Sequence, residues 1–342
     1  MRVDDFIFEL PAEQIAQSPA ESREASRLMV LDRKNRQLDT GSFVDIVDEF
    51  EAGDVLVLND TRVFPARLYG RKATGGKIEI MLVRRLDGDE EWLCLLRSSR
   101  MPKAGTEIII DEQLAAVVCS REEDRYWRLS FSCAGDFLAY IESIGHIPLP
   151  PYIRRGDTAS DRARYQTVFA RKSGSVAAPT AGLHFTDRIL ERLADKGVEI
   201  HFLTLHVGPG TFTPVQVENI SEHRMHSELF TVPPSTAKAV TQARGENRRI
   251  VAVGTTTTRT LEYFVDDEGQ LKSGTGKSDL FIYPGFEFRI IDALVTNFHL
   301  PKSTLLMLVC AFGGSEFILN AYNRAIAEGF RFYSYGDCML IK

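Results

Sequence analysis

The stretch RRIVAVGTTTTRTLEYF, residues 248–264, predicts the class of fold to which this chain belongs. Its apolar run IVAV is typical of a buried strand, and the hydroxyl-rich segment after Gly254 has the pattern of a helix that begins where the strand ends. Polar loops also follow three other apolar runs, which are VLVLND (55–60), VEIHFLTLHVG (198–208) and DALVTNFHLP (292–301). Alternation of strands and helices favours an α/β main domain.

Further helices are predicted where apolar residues recur at helical spacing behind a capping residue. TDRILERLADKG (186–197) has Thr186 as its N-cap and Gly197 as its stop. STLLMLVCAF (303–312) has the composition of a buried helix, and SEFILNAYNRAIAEG (315–329) is predicted to be a helix capped by Ser315.

Between about Arg67 and Ser132 the pattern changes to short apolar runs separated by turn residues, such as KIEIMLVRR, EWLCLLRSS and YWRLSFS. Such a pattern predicts a small all-β unit, with a barrel favoured. Since 342 residues exceed the size of a usual single core, we expect two domains. The predicted organisation is a discontinuous α/β catalytic domain (1–65 and 151–342) with an inserted β-barrel-like domain (66–150).

The composition excludes several classes of protein. The apolar fraction of 44% and the charged fraction of 26% are those of an ordinary globular protein. No stretch approaches the roughly 20 consecutive apolar residues of a membrane span, and the amino terminus has acids where a signal peptide has an apolar run. We therefore expect a cytoplasmic protein without a membrane partner. The five cysteines are widely spaced and form no CxxC pair, so neither a disulfide framework nor a metal is expected.

Five polar clusters follow or lie near predicted strand ends, where open α/β sheets bind ligands. They are NDTRVFPAR (59–67), AAPTAGLHFT (177–186), HVGPGTFTP (206–214), GTTTTRT (254–260) and TNFHLPKST (296–304). The third lacks the last glycine of a dinucleotide fingerprint, and the fourth lacks the lysine of a P-loop. Each cluster supplies hydroxyls or an imidazole for a small ligand, although AAPTAGLHFT also fits a turn that only caps the next helix.

Five of the seven histidines fall in or beside these loops: His184, His206, His223, His226 and His299. In EHRMHSE (222–228), His223 and His226 have the spacing of metal ligands on a helix, but the HExxH order is absent. A general base or a substrate-binding role is therefore favoured over a metal. No GxSxG elbow or activated cysteine is found, so the clusters suit positioning and proton transfer rather than covalent catalysis.

A net charge of −6 does not predict a nucleic-acid binder, yet residues 154–172 form a locally basic segment, RRGDTASDRARYQTVFARK. The residues alone leave two interpretations open, an RNA contact and a solvated loop.

Taken in order, these motifs resemble the family of S-adenosylmethionine:tRNA ribosyltransferase-isomerases of queuosine biosynthesis. The resemblance runs from DDFIFELPAEQIAQSPAESREASRLMVLDR through VLNDTRVFPARL, YQTVFARKSGSVAAPTAGLHFT and HVGPGTFTPV to AVGTTTTRTLE and the terminal RFYSYGDCMLI. It covers nearly the whole chain and is weakest in the β-rich insert.

The resemblance implies an enzyme that transfers and isomerises the ribosyl moiety of S-adenosylmethionine onto the 7-aminomethyl-7-deazaguanine base (preQ1) at the tRNA wobble position. The product would be epoxyqueuosine, with release of adenine and methionine. S-adenosylmethionine is then a cosubstrate, no cofactor is permanently bound, no metal is needed, and tRNA is the partner. No obligate protein partner is inferred, and a monomer is favoured.

On this interpretation we expect four sets of residues around the reaction. For proton transfer and the reacting ribose they are His184 as first choice, His206, His226 and Glu228. Asp60 and Arg62 are expected to contact substrate, and the residues expected to line the cosubstrate pocket are Thr180, Gly182, Gly208, Gly210, Thr211, Thr256 and Thr257. The opposite wall, or the neighbourhood of a flipped base, is expected at Tyr283, Pro284, Gly285, Asn297 and His299.

The tRNA is expected on the basic residues Arg67, Arg71, Lys72, Arg154, Arg155, Arg171 and Lys172, with Phe185 and Phe212 as supports for the flipped base. Two other functions stay open on the residues alone. One is a tRNA-binding protein without catalysis, with the β-rich insert as its RNA-binding barrel. The other is a small-molecule α/β hydrolase or transferase, which the missing nucleophile disfavours.

Overall fold

A nine-stranded mixed sheet forms the centre of the larger domain in the computed structural model, which describes residues 1–88, 90–122, 125–212 and 215–342. The strands of these residues are, in chain order, β1 (Arg27–Asp32), β2 (Gln37–Ser42), β3 (Val55–Asn59), β4 (Thr61–Val63), β5 (Arg67–Lys72), β6 (Lys77–Arg85), β7 (Glu91–Arg97), β8 (Glu107–Ile109), β9 (Leu114–Arg121), β10 (Tyr126–Cys133), β11 (Lys172–Ser175), β12 (Glu199–Leu205), β13 (Glu228–Val232), β14 (Ile250–Val253), β15 (Gly274–Ser278), β16 (Ala293–Asn297) and β17 (Cys338–Ile341). The α-helices are α1 (Phe137–Ile144), α2 (Ala159–Arg164), α3 (Asp187–Asp195), α4 (Pro234–Gly245), α5 (Thr255–Tyr263), α6 (Thr304–Gly313) and α7 (Ser315–Ala327).

The order of strands in the large sheet is β15-β13-β12-β3-β14-β16-β17-β1-β2. Its middle strands β12, β3, β14 and β16 are mutually parallel, with Leu203 opposite Asn59 and Val253 opposite Val295. Every residue of β3, β14 and β16 is buried. This is the expected burial for parallel strands that are covered on both faces, and it explains their continuous apolar sequences.

The two faces of this sheet belong to two separate cores. Alternate residues of a strand point to opposite faces, so Val55 and Val57 pack with helices α4 to α7, whereas Leu56 and Leu58 pack with α3 and the 3-10 turn Phe43–Glu49. The helix α3 begins as predicted, because the Thr186 hydroxyl accepts a hydrogen bond of 3.2 Å from the Ile189 amide. The predicted α/β main domain is confirmed.

The inserted β-rich region is a closed barrel with the strand order β10-β7-β6-β5-β8-β9. Burial alternates along its strands, and the inward residues form a core of their own. Helix α1 packs against this core, where the ring of Phe137 lies 5.6 Å from that of Trp92 and 5.1 Å from that of Phe131. The predicted barrel is confirmed, while the domain boundaries at residues 66 and 150 stay a prediction.

A third, two-stranded sheet links the two domains near the end of β3. Strand β4 follows β3 after one residue and pairs in parallel with β11, with Thr61 opposite Lys172 and Arg62 opposite Ser173. The register shifts between Ser173 and Ser175, which makes Gly174 the irregular residue of β11.

One local prediction was wrong. Ser315 is the first residue of α7 rather than its cap, because α6 and α7 meet at a 114° bend and only Gly314, at φ 83°, lies between them. A glycine adopts that backbone conformation without strain. The segment 222–228 is not a helix, since a 3-10 turn ends at Glu222, His223 is extended and β13 begins at Glu228. His223 and His226 therefore do not share a helix face.

Within the described residues, no single helix is both long and apolar enough to cross a membrane, and α6 with α7 reach that length only as a bent pair.

Candidate active site

The predicted polar loops lie at the carboxyl edge of the four parallel strands. The loops after β3, β12, β14 and β16 begin at Asp60, His206, Gly254 and Phe298. The chain leads from β3 to β12 on one side and from β14 to β16 on the other, so the strand order reverses between β3 and β14. Such a reversal opens a crevice at the carboxyl ends of the strands, where α/β sheets bind ligands.

The first cavity at this edge, which we call the threonine cavity, holds about 680 Å³ of space including its opening. It brings together four predicted residues: Thr180, Thr256, Asn297 and His299. The sequence analysis missed the remaining polar residues of its lining, which are Tyr152, Thr255, Thr296, Ser303, Tyr333 and Ser334. No Asp, Glu, Lys or Arg lines it among the described residues, so the cavity offers hydroxyl and amide groups rather than formal charges.

His184, the first choice for proton transfer, does not line the threonine cavity. Its ring is buried, with Nδ1 2.8 Å from the Ser26 hydroxyl and Nε2 3.0 Å from the Asn297 amide nitrogen. The Ser26 hydroxyl donates to the carbonyl oxygen of Arg23, so it accepts from Nδ1, and Asn297 donates to Nε2. Burial lowers the pKa of His184 to about 3, so the ring is neutral at pH 7. Both nitrogens are used, and the ring orients Asn297.

Asn297 is therefore held with a fixed orientation at the wall of the threonine cavity. Its amide nitrogen also donates to the Tyr333 carbonyl oxygen at 3.1 Å, while Oδ1 is buried and has no partner among the described residues. His299 is fixed similarly, with Nε2 2.8 Å from the Thr296 hydroxyl, and burial lowers its pKa to about 3. An unpartnered amide oxygen is a ready acceptor for a ligand's N–H or O–H group.

The second cavity, which we call the histidine cavity, lies between the barrel and the end of β12. It holds about 1670 Å³ of space including its opening to solvent. Its predicted residues are His206, Gly208, Gly210, His226 and Glu228. The barrel supplies residues that the sequence analysis did not select: Phe64, Arg84, Arg85, Trp92 and Tyr126. Val207 lines both cavities, so they adjoin each other.

His206 is held differently from His184. Its Nδ1 lies 2.8 Å from the hydroxyl of Thr61 on β4, and no described residue bonds to Nε2. Because the Thr61 hydroxyl donates to the Lys172 carbonyl oxygen, it accepts from Nδ1–H and leaves the lone pair on Nε2. The ring packs on Gly174, where a Cβ atom would lie 2.9 Å from it. Burial lowers the pKa of His206, although the Asp60 carboxylate opposes the shift.

Glu228 is a buried carboxylate in the wall of the histidine cavity. Its Oε1 accepts a hydrogen bond of 3.1 Å from the Gly208 amide, and its Oε2 pairs with Arg259 of α5. Burial lowers the pKa of Arg259 to about 10, so the guanidinium stays charged at pH 7. Its Nε and Nη1 have no hydrogen-bond partner among the described residues. Arg259 was not predicted from the sequence, where its signal is a charged residue in a helix that is buried on nearly every side.

The predicted substrate residues Asp60 and Arg62 do not line either cavity. Asp60 accepts a hydrogen bond of 2.6 Å from the Thr204 hydroxyl and pairs with Arg171 at 3.3 Å. Arg62 is exposed on β4 and lies 3.6 Å from Glu142 of α1. Asp60 is thus placed to act on His206 through its charge, and Arg62 lies at the surface.

Several other predicted residues are not brought to the cavities. Gly182 is buried where a Cβ would lie 2.8 Å from Thr167, and the Thr257 hydroxyl donates to the Val253 carbonyl oxygen at 2.7 Å. Both positions are structural. The linings of the two cavities also do not include the residues predicted for the opposite wall at Tyr283, Pro284 and Gly285. The side chain of Thr211 lies outside the described residues.

The predicted RNA-contacting residues fall into three places. Arg71 and Lys72 line a groove on the barrel, Arg67, Arg154 and Arg155 line a second groove beside residues 148–156, and Arg171 and Lys172 are exposed near β11. Arg155 makes two hydrogen bonds with Asp161, at 2.7 and 2.9 Å, and the guanidinium of Arg171 covers the ring of Phe202.

Phe185 is a correction to the predicted supports of a flipped base. It is fully buried, and its ring lies 5.1 Å from that of Phe43 in the core under the sheet. The side chain of Phe212 lies outside the described residues. Over the described part of the chain, no group of three or more His, Cys, Asp and Glu residues is close enough to hold a metal ion.

Comparison with known proteins identifies relatives along the full length of the chain. A family model described as queuosine biosynthesis protein matches residues 3–341. The S-adenosylmethionine:tRNA ribosyltransferase-isomerase of Syntrophotalea carbinolica is 61% identical, and that of Geotalea uraniireducens 53% identical, each over 100% of both chains. The crystal structure of S-adenosylmethionine tRNA ribosyltransferase from Thermotoga maritima matches with a TM-score of 0.56 and 41% identity, covering 99% of this chain and 100% of that chain.

Proposed function

The chain belongs to the family of queuosine biosynthesis proteins, and we propose that it is an S-adenosylmethionine:tRNA ribosyltransferase-isomerase. It transfers the ribosyl moiety of S-adenosylmethionine to the preQ1 base at the tRNA wobble position and rearranges it to epoxyqueuosine. Adenine and methionine are released. S-adenosylmethionine is the cosubstrate and preQ1-containing tRNA the partner, which places the enzyme in the cytoplasm.

The observation that carries the proposal for the site is the pair of adjoining cavities at the carboxyl edge of the parallel strands. A reaction that joins a nucleoside cosubstrate to a base of tRNA needs two binding spaces that meet where the bond forms. The two cavities share Val207 and differ in chemistry. We assign the junction at Val207 to the reacting ribose.

The threonine cavity suits the adenosine portion of S-adenosylmethionine. Its hydroxyls can bond to the ribose hydroxyls, and the Oδ1 of Asn297 accepts from a donor such as the amino group of adenine. The rings of Tyr152 and Tyr333, with centroids 4.7 Å apart, add an aromatic wall. Because no formal charge lines this cavity among the described residues, a neutral nucleoside is a better ligand for it than a phosphorylated one.

The histidine cavity suits the aminomethyl base and the departing methionine. It is larger and opens toward the barrel, where Trp92 and Tyr126 offer aromatic surfaces. Glu228 places a carboxylate there, which attracts a protonated aminomethyl group or the sulfonium. Arg259 and the Gly208 amide hold that carboxylate in a fixed position.

His206 is the residue to which we assign proton removal. The sulfonium acidifies the adjacent C5′ hydrogens of the ribose, and a neutral imidazole with a free Nε2 can accept one of them. His206 has that nitrogen, whereas both nitrogens of His184 are occupied. His184 is therefore a positioning residue that acts through Asn297. His226 is exposed and packs on Gly210, and we assign it to substrate contact.

The experiment that tests the function follows purified protein with S-adenosylmethionine, preQ1-containing tRNA and an added chelator by mass spectrometry. Stoichiometric adenine and methionine, together with the mass of epoxyqueuosine in the nucleoside digest, are expected. Product in the presence of chelator would also support our proposal that no metal is required. Tight tRNA binding without adenine release would favour the binding-protein alternative instead.

A matched pair of threonine variants tests the cosubstrate cavity. Thr256→Val removes a hydroxyl from the cavity lining, whereas Thr258→Val removes a hydroxyl of the same helix that bonds to the Gly254 carbonyl oxygen and lines no cavity. We expect Thr256→Val to raise KM for S-adenosylmethionine about tenfold, the worth of one hydrogen bond. If both variants change KM for S-adenosylmethionine equally, the threonine cavity is not the binding site of the cosubstrate.

A further inference from the structure

The outer surface of the barrel continues the active site, although the sequence predicted functional residues there only at Arg67, Arg71 and Lys72. Two grooves lie there. We call them the strap groove, between the barrel and residues 148–156, and the barrel groove, across strands β5 to β7. Pro209 lines both the histidine cavity and the strap groove, and Arg97 lines both grooves. The histidine cavity, the strap groove and the barrel groove therefore adjoin one another in that order, and we call this series of surfaces the path.

This path is strongly basic in a protein whose net charge is −6. Four Lys and Arg side chains line the barrel groove and five line the strap groove, with Arg97 common to both. Among the described residues, Glu79 is the only acidic residue that lines the two grooves, and its carboxylate pairs with Arg67 at 3.2 Å. Clustered cations of this kind are the electrostatic signature of a phosphate backbone site.

The cationic side chains on this path differ in whether they already form ion pairs or hydrogen bonds within the protein. Arg155 is bonded to Asp161, and Arg67 to Glu79 and the Leu149 carbonyl oxygen. By contrast, the exposed guanidinium groups of Arg71, Arg97 and Arg154 form no ion pair or hydrogen bond with a described residue. The first group holds the strap in place, and the second is available to an anionic partner.

The barrel groove also offers a surface on which a base can stack. Tyr69 is 50% exposed and stands edge-on to the His146 ring at 5.0 Å. The strand register places Tyr69 opposite Glu79 and Glu79 opposite Arg97, so the three lie in one row on the outer face of the barrel. An aromatic platform in a groove lined by cations is the combination that binds single-stranded nucleic acid.

We propose that the outer face of strands β5 to β7, with the strap at residues 148–156, is the surface that binds the anticodon arm of the tRNA substrate, with Arg97 as its central phosphate contact. This inference rests on the proposed function, because a wobble base in the histidine cavity leaves the rest of the loop to cross the adjoining surface. The prolines at 148, 150 and 151 fix their own backbone angle φ, so the strap is ordered before the RNA binds.

The test compares Arg97→Glu with Arg121→Glu, measuring Kd for a preQ1-containing anticodon stem-loop at two salt concentrations and KM for S-adenosylmethionine. Arg121 is exposed at the end of β9, which is opposite β6 in the ring of strands, and it lines neither groove. Both variants change the net charge equally. We expect Arg97→Glu to raise Kd about tenfold and to lower the salt slope by about one, with KM for S-adenosylmethionine unchanged. Arg121→Glu should stay within twofold of the wild type.

A Kd for Arg97→Glu within twofold of the wild type, or an equal loss in Arg121→Glu, would overturn the surface assignment. Arg154→Glu is the second variant, and it should weaken binding in the same way if the strap groove carries the backbone. Thermal melting of each variant separates misfolding from lost contact. If the wild type binds the stem-loop but releases no adenine, the proposed function fails while the Kd comparison still decides the surface. Normal turnover with an unchanged Kd would refute the surface alone.

Discussion

The threonine cavity and the histidine cavity meet at Val207 but satisfy their polar groups in opposite ways. Behind the first, both nitrogens of the buried His184 are hydrogen-bonded. In the second, His206 keeps Nε2 without a described partner, and Glu228 carries a charge that is balanced by Arg259. A group whose hydrogen bonds are all made within the protein fixes the residues around the substrate. A group that keeps an unused hydrogen-bonding atom can react with the substrate that it contacts. The comparison shows that the hydrogen bonds of a histidine indicate its role better than its position in a motif does.

The largest expected effect separates the two histidines directly. His206→Gln should lower kcat for adenine release by roughly 10² to 10⁴, the usual worth of a general base, with little change in the unfolding midpoint. His184→Gln keeps an acceptor for Asn297 and should lower kcat less than tenfold, while raising KM for S-adenosylmethionine. Initial rates at saturating substrates measure both. A greater loss of kcat in His184→Gln than in His206→Gln would reverse the two assignments.

A second prediction concerns the charge that distinguishes the histidine cavity. Arg259→Met removes the ion pair of the buried Glu228 carboxylate, so the free energy of unfolding should fall by about 3 to 5 kcal/mol. The double variant Arg259→Met, Glu228→Leu should recover much of that stability, because a buried pair replaced by apolar groups leaves no unpaired charge. Urea denaturation measures each step. If the double variant is less stable than Arg259→Met, the pair stabilises this wall through some other contact.

The pH dependence of stability should depend on two buried histidines, His299 in the lining of the threonine cavity and His184 behind Asn297. Burial lowers the pKa values of His184 and His299 from 6.5 to about 3. Below pH 6.5 the unfolded chain binds protons that the folded protein does not, so this contribution is complete above pH 6.5 and is lost as the pH falls toward 3. At pH 5 the loss is about 2 kcal/mol for each histidine.

His184→Gln provides the measurement. Its stability deficit relative to the wild type should be about 2 kcal/mol smaller at pH 5 than at pH 7, because the wild type alone loses the contribution of this histidine. A deficit that stays constant between these pH values would contradict the neutral, buried state of His184.

The smallest expected effect tests how the two-stranded sheet β4–β11 fixes His206. Thr61→Val removes the acceptor for Nδ1 and should lower kcat about tenfold, equivalent to about 1.4 kcal/mol, and Thr61→Ser should restore it. Gly174→Ala places a Cβ 2.9 Å from the ring and should have a similar effect.

The profile of kcat/KM against pH should show an acid limb below pH 6.5 in the wild type, since burial lowers the pKa of His206. If Thr61→Val leaves both kcat and the acid limb of the pH profile unchanged, Thr61 does not position His206.

Much of the fold could be predicted from the sequence because the decisive signals are local. The apolar runs of β3, β14 and β16, the Thr186 cap and the short runs of the barrel depend on neighbours within one element. The error arose where the packing of two helices decides. Ser315 is not the cap of α7, because α6 and α7 meet at a bend and Gly314 takes the capping position.

For the candidate site, the sequence identified the loops but not the orientation of their side chains. It indicated that polar clusters after parallel strands would share one edge, since the direction of a strand fixes where its loop emerges. It gave no sign that Thr61 and Gly174 would fix His206, because those residues are 145 and 32 positions away along the chain. It gave no sign of Arg259 either, because its partner Glu228 lies 31 positions away on strand β13.

The sequence by itself determined the α/β class, the inserted barrel and the set of loops that carry polar groups, because hydrophobic period and turn residues act over a few positions. Only the tertiary structure decided that His184 is buried and saturated, that His206 has an accessible nitrogen, and that the basic surface runs along the barrel through Arg97. The physical reason is that burial and hydrogen-bond satisfaction depend on which distant elements pack together, and this packing sets both the pKa and the availability of each group.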